Sequence, residues 1–336
     1  MGDVLRVQEV RAGYRTADAE VRAVDGVSLS LGQGELLGVV GESGCGKSTL
    51  ASILALTARP PLVVRSGSLW VGGHQLDLPN AGAAPADWRG KLVSLMPQGA
   101  MSALNPTARI RDFAVDVLRS HEPRIRRAEA IARAAARLEQ LSLPARALDS
   151  YPHQLSGGMR QRVVAAISTL LNPRVLIADE PTSALDVSSQ AGLTAMLRDL
   201  LARQLVTGIV LISHDLPMLS NVAQRIAVMY AGQIVEVAST HEITSNPRHP
   251  YTRALLGSAL VPDPSIRGTR IEGIPGAPPA LRFPPPACRF HPRCPIAIET
   301  CSRVDPPHVD YADGFALCWR APGAPHAAPR ELAART

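Results

Sequence analysis

Four short apolar runs punctuate the first two thirds of the chain: Leu36 to Val40, Leu92 to Met96, Val175 to Ala178 and Ile209 to Ile212. Each is of strand length, and their continuous apolar character predicts strands of a parallel sheet buried on both faces. Such a sheet needs helices over it. Apolar residues recur at helical spacing after Lys47 (Leu50, Ile53, Leu54) and after Gly158 (Val163, Val164, Ile167, Leu170, Leu171). Arg124 to Leu141 forms an amphipathic stretch rich in Ala and Arg. The pattern therefore predicts an α/β chain. The longest apolar run, Val163 to Leu171, contains Ser168 and Thr169 and then meets Pro173, well short of the ~20 residues that cross a bilayer. The start of the chain shows neither a secretion segment nor a myristoylation pattern, so a cytosolic protein is expected.

In open α/β sheets, ligands gather beyond the carboxyl ends of the strands. The four runs lead into Gly41 to Ser48, Gln98, Asp179 with Glu180, and His214. Gly41-Glu42-Ser43-Gly44-Cys45-Gly46-Lys47-Ser48 has the phosphate-loop pattern, placed between a predicted strand and a predicted helix. Its glycines let backbone N–H groups converge on phosphate oxygens, and Lys47 supplies a point charge toward the β and γ phosphates. Ser48, with Thr49 beside it, is a ligand for Mg²⁺. Cys45 stands at a variable position of the pattern and reads as a spacer. Asp179 is suited to hold Mg²⁺ through a coordinated water, and Glu180 to accept hydrogen bonds from an attacking water. Gln98 can contact both metal and water, and His214 can reach a γ-phosphate. Together these groups suffice for phosphoryl transfer to water without a covalent intermediate.

Apolar residues make up 46% and charged residues 19% of the 336 positions, which excludes a disordered or collagen-like chain. The net charge of +6 is dispersed along the chain, so it does not by itself indicate nucleic acid. Of the 35 basic residues only Lys47 and Lys91 are lysine, and a lysine kept in the phosphate loop against that bias invites a chemical reason. Proline marks a boundary: 17 of the 29 prolines lie from Pro247 onward. Residues 262 to 336, rich in Pro and Gly, are not expected to hold long regular elements. Four of the five cysteines, Cys288, Cys294, Cys301 and Cys318, fall in this region. In a reducing compartment they read as metal ligands rather than disulfides. No Cys-x-x-Cys pair occurs, which weakens a zinc ribbon. His291 and His308 are nearby alternative ligands.

Leu155-Ser156-Gly157-Gly158-Met159 precedes an apolar-faced helix, so Ser156, Gly157 and Gly158 stand where exposed N–H groups can bind an anion. With the phosphate loop, Gln98, Asp179-Glu180, Ser183-Ala184-Leu185-Asp186 and His214 in this order, the chain resembles the ATPases of ATP-binding cassette transporters. The resemblance implies a P-loop nucleotide-binding domain over 4–245, with a RecA-like core and a helical subdomain at about 104–172. It also implies that Tyr14 stacks on adenine and that Ser156 to Gly158 and Asp186 complete an ATP site across a pair of such domains. Met159 departs from the glutamine most familiar at its place, although peptide importers of the family often carry Met there.

Pro247 to Leu256, Ile271 to Gly276 and Ser102 to Pro106 resemble the oligopeptide and dipeptide importers, a branch that also contains nickel importers. The Pro- and Cys-rich extension, 246–330, then resembles a tail in which the cysteines of 288–318 hold a [4Fe–4S] cluster, with Zn²⁺ as the alternative. The partners implied are a second, homologous ATPase in a heterodimer, two transmembrane permeases and an extracytoplasmic solute-binding protein, which puts the chain on the cytoplasmic face of the membrane. A soluble cassette ATPase acting on nucleic acid is the alternative class, but the chain has neither a long coiled coil nor a second cassette.

Overall fold

The structure, a computed structural model, describes residues 2–16, 20–99, 104–183, 185–258 and 273–325. The four apolar runs become β3 (Leu36–Val40), β6 (Val93–Met96), β7 (Val175–Asp179) and β8 (Gly208–Ser213). They run parallel, in spatial order β3, β8, β7, β6. Side chains alternate between two cores. Leu36, Val40, Leu176, Ala178, Ile209 and Leu211 enter one, while Leu37, Val39, Val175, Ile177, Val210 and Ile212 enter the other. Because both faces are covered, these strands read as unbroken apolar runs.

Beyond β3 the sheet gains β9 (Arg225–Tyr230), parallel to it, and then β10 (Gln233–Ser239), which is antiparallel. A hairpin from the Pro-rich tail, β11 (His308–Tyr311) and β12 (Gly314–Leu317), completes the eight strands by pairing Glu236 with Ala316 and Val237 with Phe315. The tail thus keeps to short elements but is joined to the main sheet by backbone hydrogen bonds. Phe290 of the tail is buried against Tyr230 and Tyr251.

A second, four-stranded antiparallel sheet comprises β1 (Asp3–Arg15), β2 (Glu20–Gly32), β4 (Leu62–Val71) and β5 (His74–Asp77). Bulges in β1 between Val7 and Val10 and around Glu9, which has φ 49°, break its period of two. Helices Ile110–Arg119, Arg127–Gln140 and Gly157–Ser168 pack in series, and the last also packs on helix Val187–Ala202. The amphipathic stretch expected at Arg124 to Leu141 is helical over Arg127–Gln140 and buries Ala130, Ala134 and Leu138. Ser102, Ala103, Ala184, Ile271 and Glu272, all within motifs named above, lie outside the described residues.

Candidate functional site

The loop leaving β3 turns into helix Lys47–Leu54 at Gly46, whose φ of 108° is open to glycine and costly for other residues. A Cβ there would also stand 2.0 Å from the Ala23 carbonyl oxygen, so the loop approaches β2 as closely as glycine permits. No side chain caps the helix, which leaves its first N–H groups free of a side-chain acceptor. The Lys47 ammonium is buried and donates to the carbonyls of Gly41 (2.7 Å) and Glu42 (2.9 Å). Cys45 is buried as well, and loss of solvation raises its thiol, consistent with a packing role.

Ser48 donates its hydroxyl to Asp179 at the end of β7 over 3.2 Å. Burial raises the Asp179 carboxyl against the opposing hydrogen bond from Ser48, with neighbouring Glu180 adding repulsion. This pair of hard oxygen donors beside a phosphate loop fits a magnesium ion, whose charge would offset the loss of solvation.

Glu180 follows with φ 44°, a left-handed conformation held by its N–H donating to the Ile212 carbonyl on β8 (2.9 Å). That strained turn aims the carboxylate between two partners. Gln98 donates its Nε2 to Oε2 over 2.9 Å, and His214 Nδ1 lies 3.5 Å from Oε1. The Glu180 side chain is 12% exposed whereas that of His214 is 58% exposed, so the histidine stands at the solvent side of the cluster. Three strand ends, with Gln98 and Glu180 82 residues apart in the chain, are thereby brought to one spot.

The remaining expected site residues are placed around it. The hydroxyl of Tyr14, on β1, is 3.0 Å from that of Thr49, which fixes the ring beside the start of the helix. Ser156 caps helix Gly157–Ser168 by accepting from Met159 N over 3.3 Å. Asp186 caps helix Val187–Ala202, accepting from Ser189 N (2.9 Å) and Ser189 Oγ (2.8 Å). Gly158 touches this same serine: a Cβ at 158 would stand 2.6 Å from Ser189 Oγ. Ser156 and Asp186 thus each bond within the first turn of their own helix, and the two starts meet where Gly158 packs on Ser189.

Two residues that sequence reasoning did not assign reach the loop from the tail. Tyr251 Oη accepts from Glu42 N over 2.9 Å, and Arg293 grips the Glu42 carboxylate with both terminal nitrogens at 2.7 and 2.9 Å. Separations of 209 and 251 residues leave no local signal for either contact.

None of the four tail cysteines is in a disulfide. Cys301 and Cys318 are buried and the other two partly so. Burial foremost pushes Cys288 up to about 12, and the proximity of Cys301, Cys318 and Cys294 acts in the same direction. The backbone N–H of Arg320 donates to Cys318 Sγ over 3.2 Å. As placed, the described residues contain no group of three or more His, Cys, Asp or Glu arranged to hold a metal ion, so the donors are gathered without forming a closed site.

Residues 24–183 match the family described as ABC transporter, and residues 235–301 match the C-terminal region of oligopeptide/dipeptide transporters. The chain is 39% identical over 308 residues to the dipeptide transport ATP-binding protein DppD of Caldanaerobacter subterraneus subsp. tengcongensis, covering 91% of this chain and 93% of that protein. It is likewise 39% identical over 336 residues to the oligopeptide transport ATP-binding protein OppD of Bacillus subtilis, covering 98% and 92%. Among solved structures, the ATP-binding cassette MJ0796, in a dimeric post-hydrolysis state bound to ADP and Pi, superposes with a TM-score of 0.60. It shares 22% identity and covers 70% of this chain and 98% of its own, which bears on the fold alone. On identity maintained over nearly the whole length of these relatives, the chain belongs to the ATP-binding proteins of ABC transporters, in the oligopeptide/dipeptide branch.

Proposed function

We propose that this chain hydrolyses ATP to drive the import of short peptides through membrane permeases. The observation that carries the reading is the convergence of Ser48 on Asp179 and of Gln98 and His214 on Glu180, at the ends of four neighbouring strands. Peptide cargo is supported by the names of the relatives, dipeptide and oligopeptide transport ATP-binding proteins, and by the match of the tail region to oligopeptide/dipeptide transporters.

In this reading the loop Gly41 to Ser48, with Thr49, binds the triphosphate through backbone N–H groups and Lys47, and Tyr14 stacks on the base. Ser48 and Asp179, with Gln98, would hold Mg²⁺, which when bound neutralises charge on the phosphates. Glu180 orients the attacking water and takes up its proton. Gln98 and His214 fix that carboxylate from two sides, and His214 extends toward the γ-phosphate. Ser156, Gly157, Gly158 and Asp186 lie apart from this cluster in their contacts, which supports their use on the nucleotide of a second, homologous ATPase. ATP favours the closed pair, and hydrolysis with product release returns it to the open state, a shift of population. A heterodimer of ATPases on the cytoplasmic face, two permeases and an extracytoplasmic binding protein make up the proposed transporter.

The tail cysteines are assigned a [4Fe–4S] cluster, with Zn²⁺ the alternative. Four free cysteines in one short segment and a backbone N–H donating to Cys318 Sγ support a thiolate-ligated centre. When bound, such a centre would cross-link a segment whose own buried cluster is small, Ala316, Cys318 and Ala321.

The test is reconstitution with two peptide-importer permeases and a second, homologous ATPase. Peptide-dependent ATP hydrolysis in liposomes is expected. A complex that hydrolyses ATP in response to nickel and not to peptides would replace the cargo, and one that hydrolyses no ATP would overturn the whole reading.

A further inference from the structure

Glu42 puts a carboxylate at the second position of a loop built to receive an anion, where, left free, it would oppose the incoming phosphates. The structure keeps it occupied. Arg293 meets it in a fork, Nη1 to Oε2 at 2.7 Å and Nη2 to Oε1 at 2.9 Å, and only 6% of the arginine side chain and 20% of the glutamate side chain is exposed. A pair so shielded from solvent is screened little by salt. The same guanidinium donates to the Pro275 carbonyl (2.7 Å), the Gly276 carbonyl (3.3 Å) and Tyr230 Oη (3.2 Å), so the fork is held in place from three other directions.

The element presenting Arg293 is a single turn, His291–Arg293, bracketed by Cys288 and Cys294. His291 N donates to the Cys288 carbonyl (3.0 Å), and Cys294 N to that of His291 (3.3 Å). These backbone bonds tie the turn that carries Arg293 to the cysteine segment on either side.

We infer that Arg293 is a positioning residue for nucleotide binding: by neutralising and turning aside the Glu42 carboxylate, it couples the integrity of the cysteine-bearing turn to the affinity of the phosphate loop. The inference rests on the reading of Gly41 to Ser48 as the triphosphate site. Arginine suits the task because its planar fork matches a carboxylate with two parallel hydrogen bonds, which a lysine cannot.

The experiment is a titration of the full-length chain with a fluorescent ATP analogue and Mg²⁺, comparing wild type, Arg293→Met, Arg293→Lys, Glu42→Gln and the double variants. Arg293→Met should weaken binding about tenfold, the scale of one lost charge-assisted hydrogen bond, and Arg293→Lys by less. Adding Glu42→Gln should restore most of the affinity lost in Arg293→Met, because the uncompensated charge is then gone. A purely structural arginine would show no such rescue. If Arg293→Met does not fold, Arg293→Lys with and without Glu42→Gln carries the same comparison. Cys294→Ser should also weaken binding, and should add nothing further in the Arg293→Met background. Wild-type affinity in Arg293→Met, failure of Glu42→Gln to rescue, or strictly additive losses with Cys294→Ser would overturn the inference while leaving the ATP site standing. Absence of binding by the wild-type chain would instead remove both.

Discussion

Gln98 at the end of one strand donates to the Glu180 carboxylate at the end of the next over 2.9 Å, while His214 approaches the other oxygen from a third strand. The carboxylate is nearly enclosed, yet its strained backbone position leaves it directed out of the sheet beside Asp179 and Ser48. Glu180→Gln preserves the shape and a hydrogen-bonding partner for Gln98 but removes the base. Turnover should fall by about 10²–10⁴-fold, the range for loss of a general base, with nucleotide binding retained. Phosphate release and nucleotide titration on the same preparation separate the two effects. Steady-state hydrolysis at the wild-type rate would refute the role of Glu180.

Most of that cluster was legible because each residue ends an apolar run. Burial on both faces made β3, β7 and β8 continuous in sequence, while β6 is interrupted by half-buried Ser94, and the polar residues just beyond these strands were therefore conspicuous. The antiparallel sheet was not legible, since the bulges of β1 disrupt the alternation that would have signalled it. Nor was the tail's attachment. The hairpin pairs at only two positions with β10, and Arg293 finds Glu42 across 251 residues by packing alone. Proline content correctly indicated short elements there but carried no information about where they dock.

Gly158 packs on Ser189, whose hydroxyl donates to the Asp186 carboxylate that caps the following helix, so a side chain at 158 must displace that hydroxyl. Gly158→Val should therefore reduce ATP hydrolysis in the assembled transporter by about tenfold or more, equivalent to ~1.4 kcal/mol on the barrier. Binding of nucleotide to the isolated chain, which we propose is made by the phosphate loop, should change far less. Equal losses in both assays would show that the substitution damages the fold rather than the pairing of the two ATPases.

The cysteine segment makes a compositional prediction. Chain purified without exposure to oxygen should be brown and contain about four irons, the stoichiometry of a cube on four thiolates. Cys301→Ser, at a buried member of the set, should lower the iron content and loosen the tail, seen as faster proteolysis beyond residue 273. Colourless protein with stoichiometric zinc would assign the thiols to the alternative metal, and metal-free protein of unchanged protease resistance would remove the structural role.

His249 links the tail helix Pro250–Gly257 to the protein's stability in acid. It is fully buried, its Nδ1 accepts from Tyr251 N over 3.0 Å, and burial lowers its pKa from 6.5 to about 3. The folded chain therefore keeps this imidazole neutral while the unfolded chain protonates it below pH 6.5. Its contribution is whole above the unfolded value and is lost as pH falls toward the folded one, at up to about 1.4 kcal/mol per pH unit. Tyr251 packs beneath Tyr230 and holds Glu42 N, so the loss is expected to reach the phosphate loop as well. His249→Asn retains an oxygen that can cap the helix but nothing that titrates. Denaturant unfolding at pH 7.5 and 5.5 should show a smaller drop in midpoint for His249→Asn than for wild type. An identical drop in both would mean that other groups govern the acid sensitivity and that the buried imidazole contributes none of it.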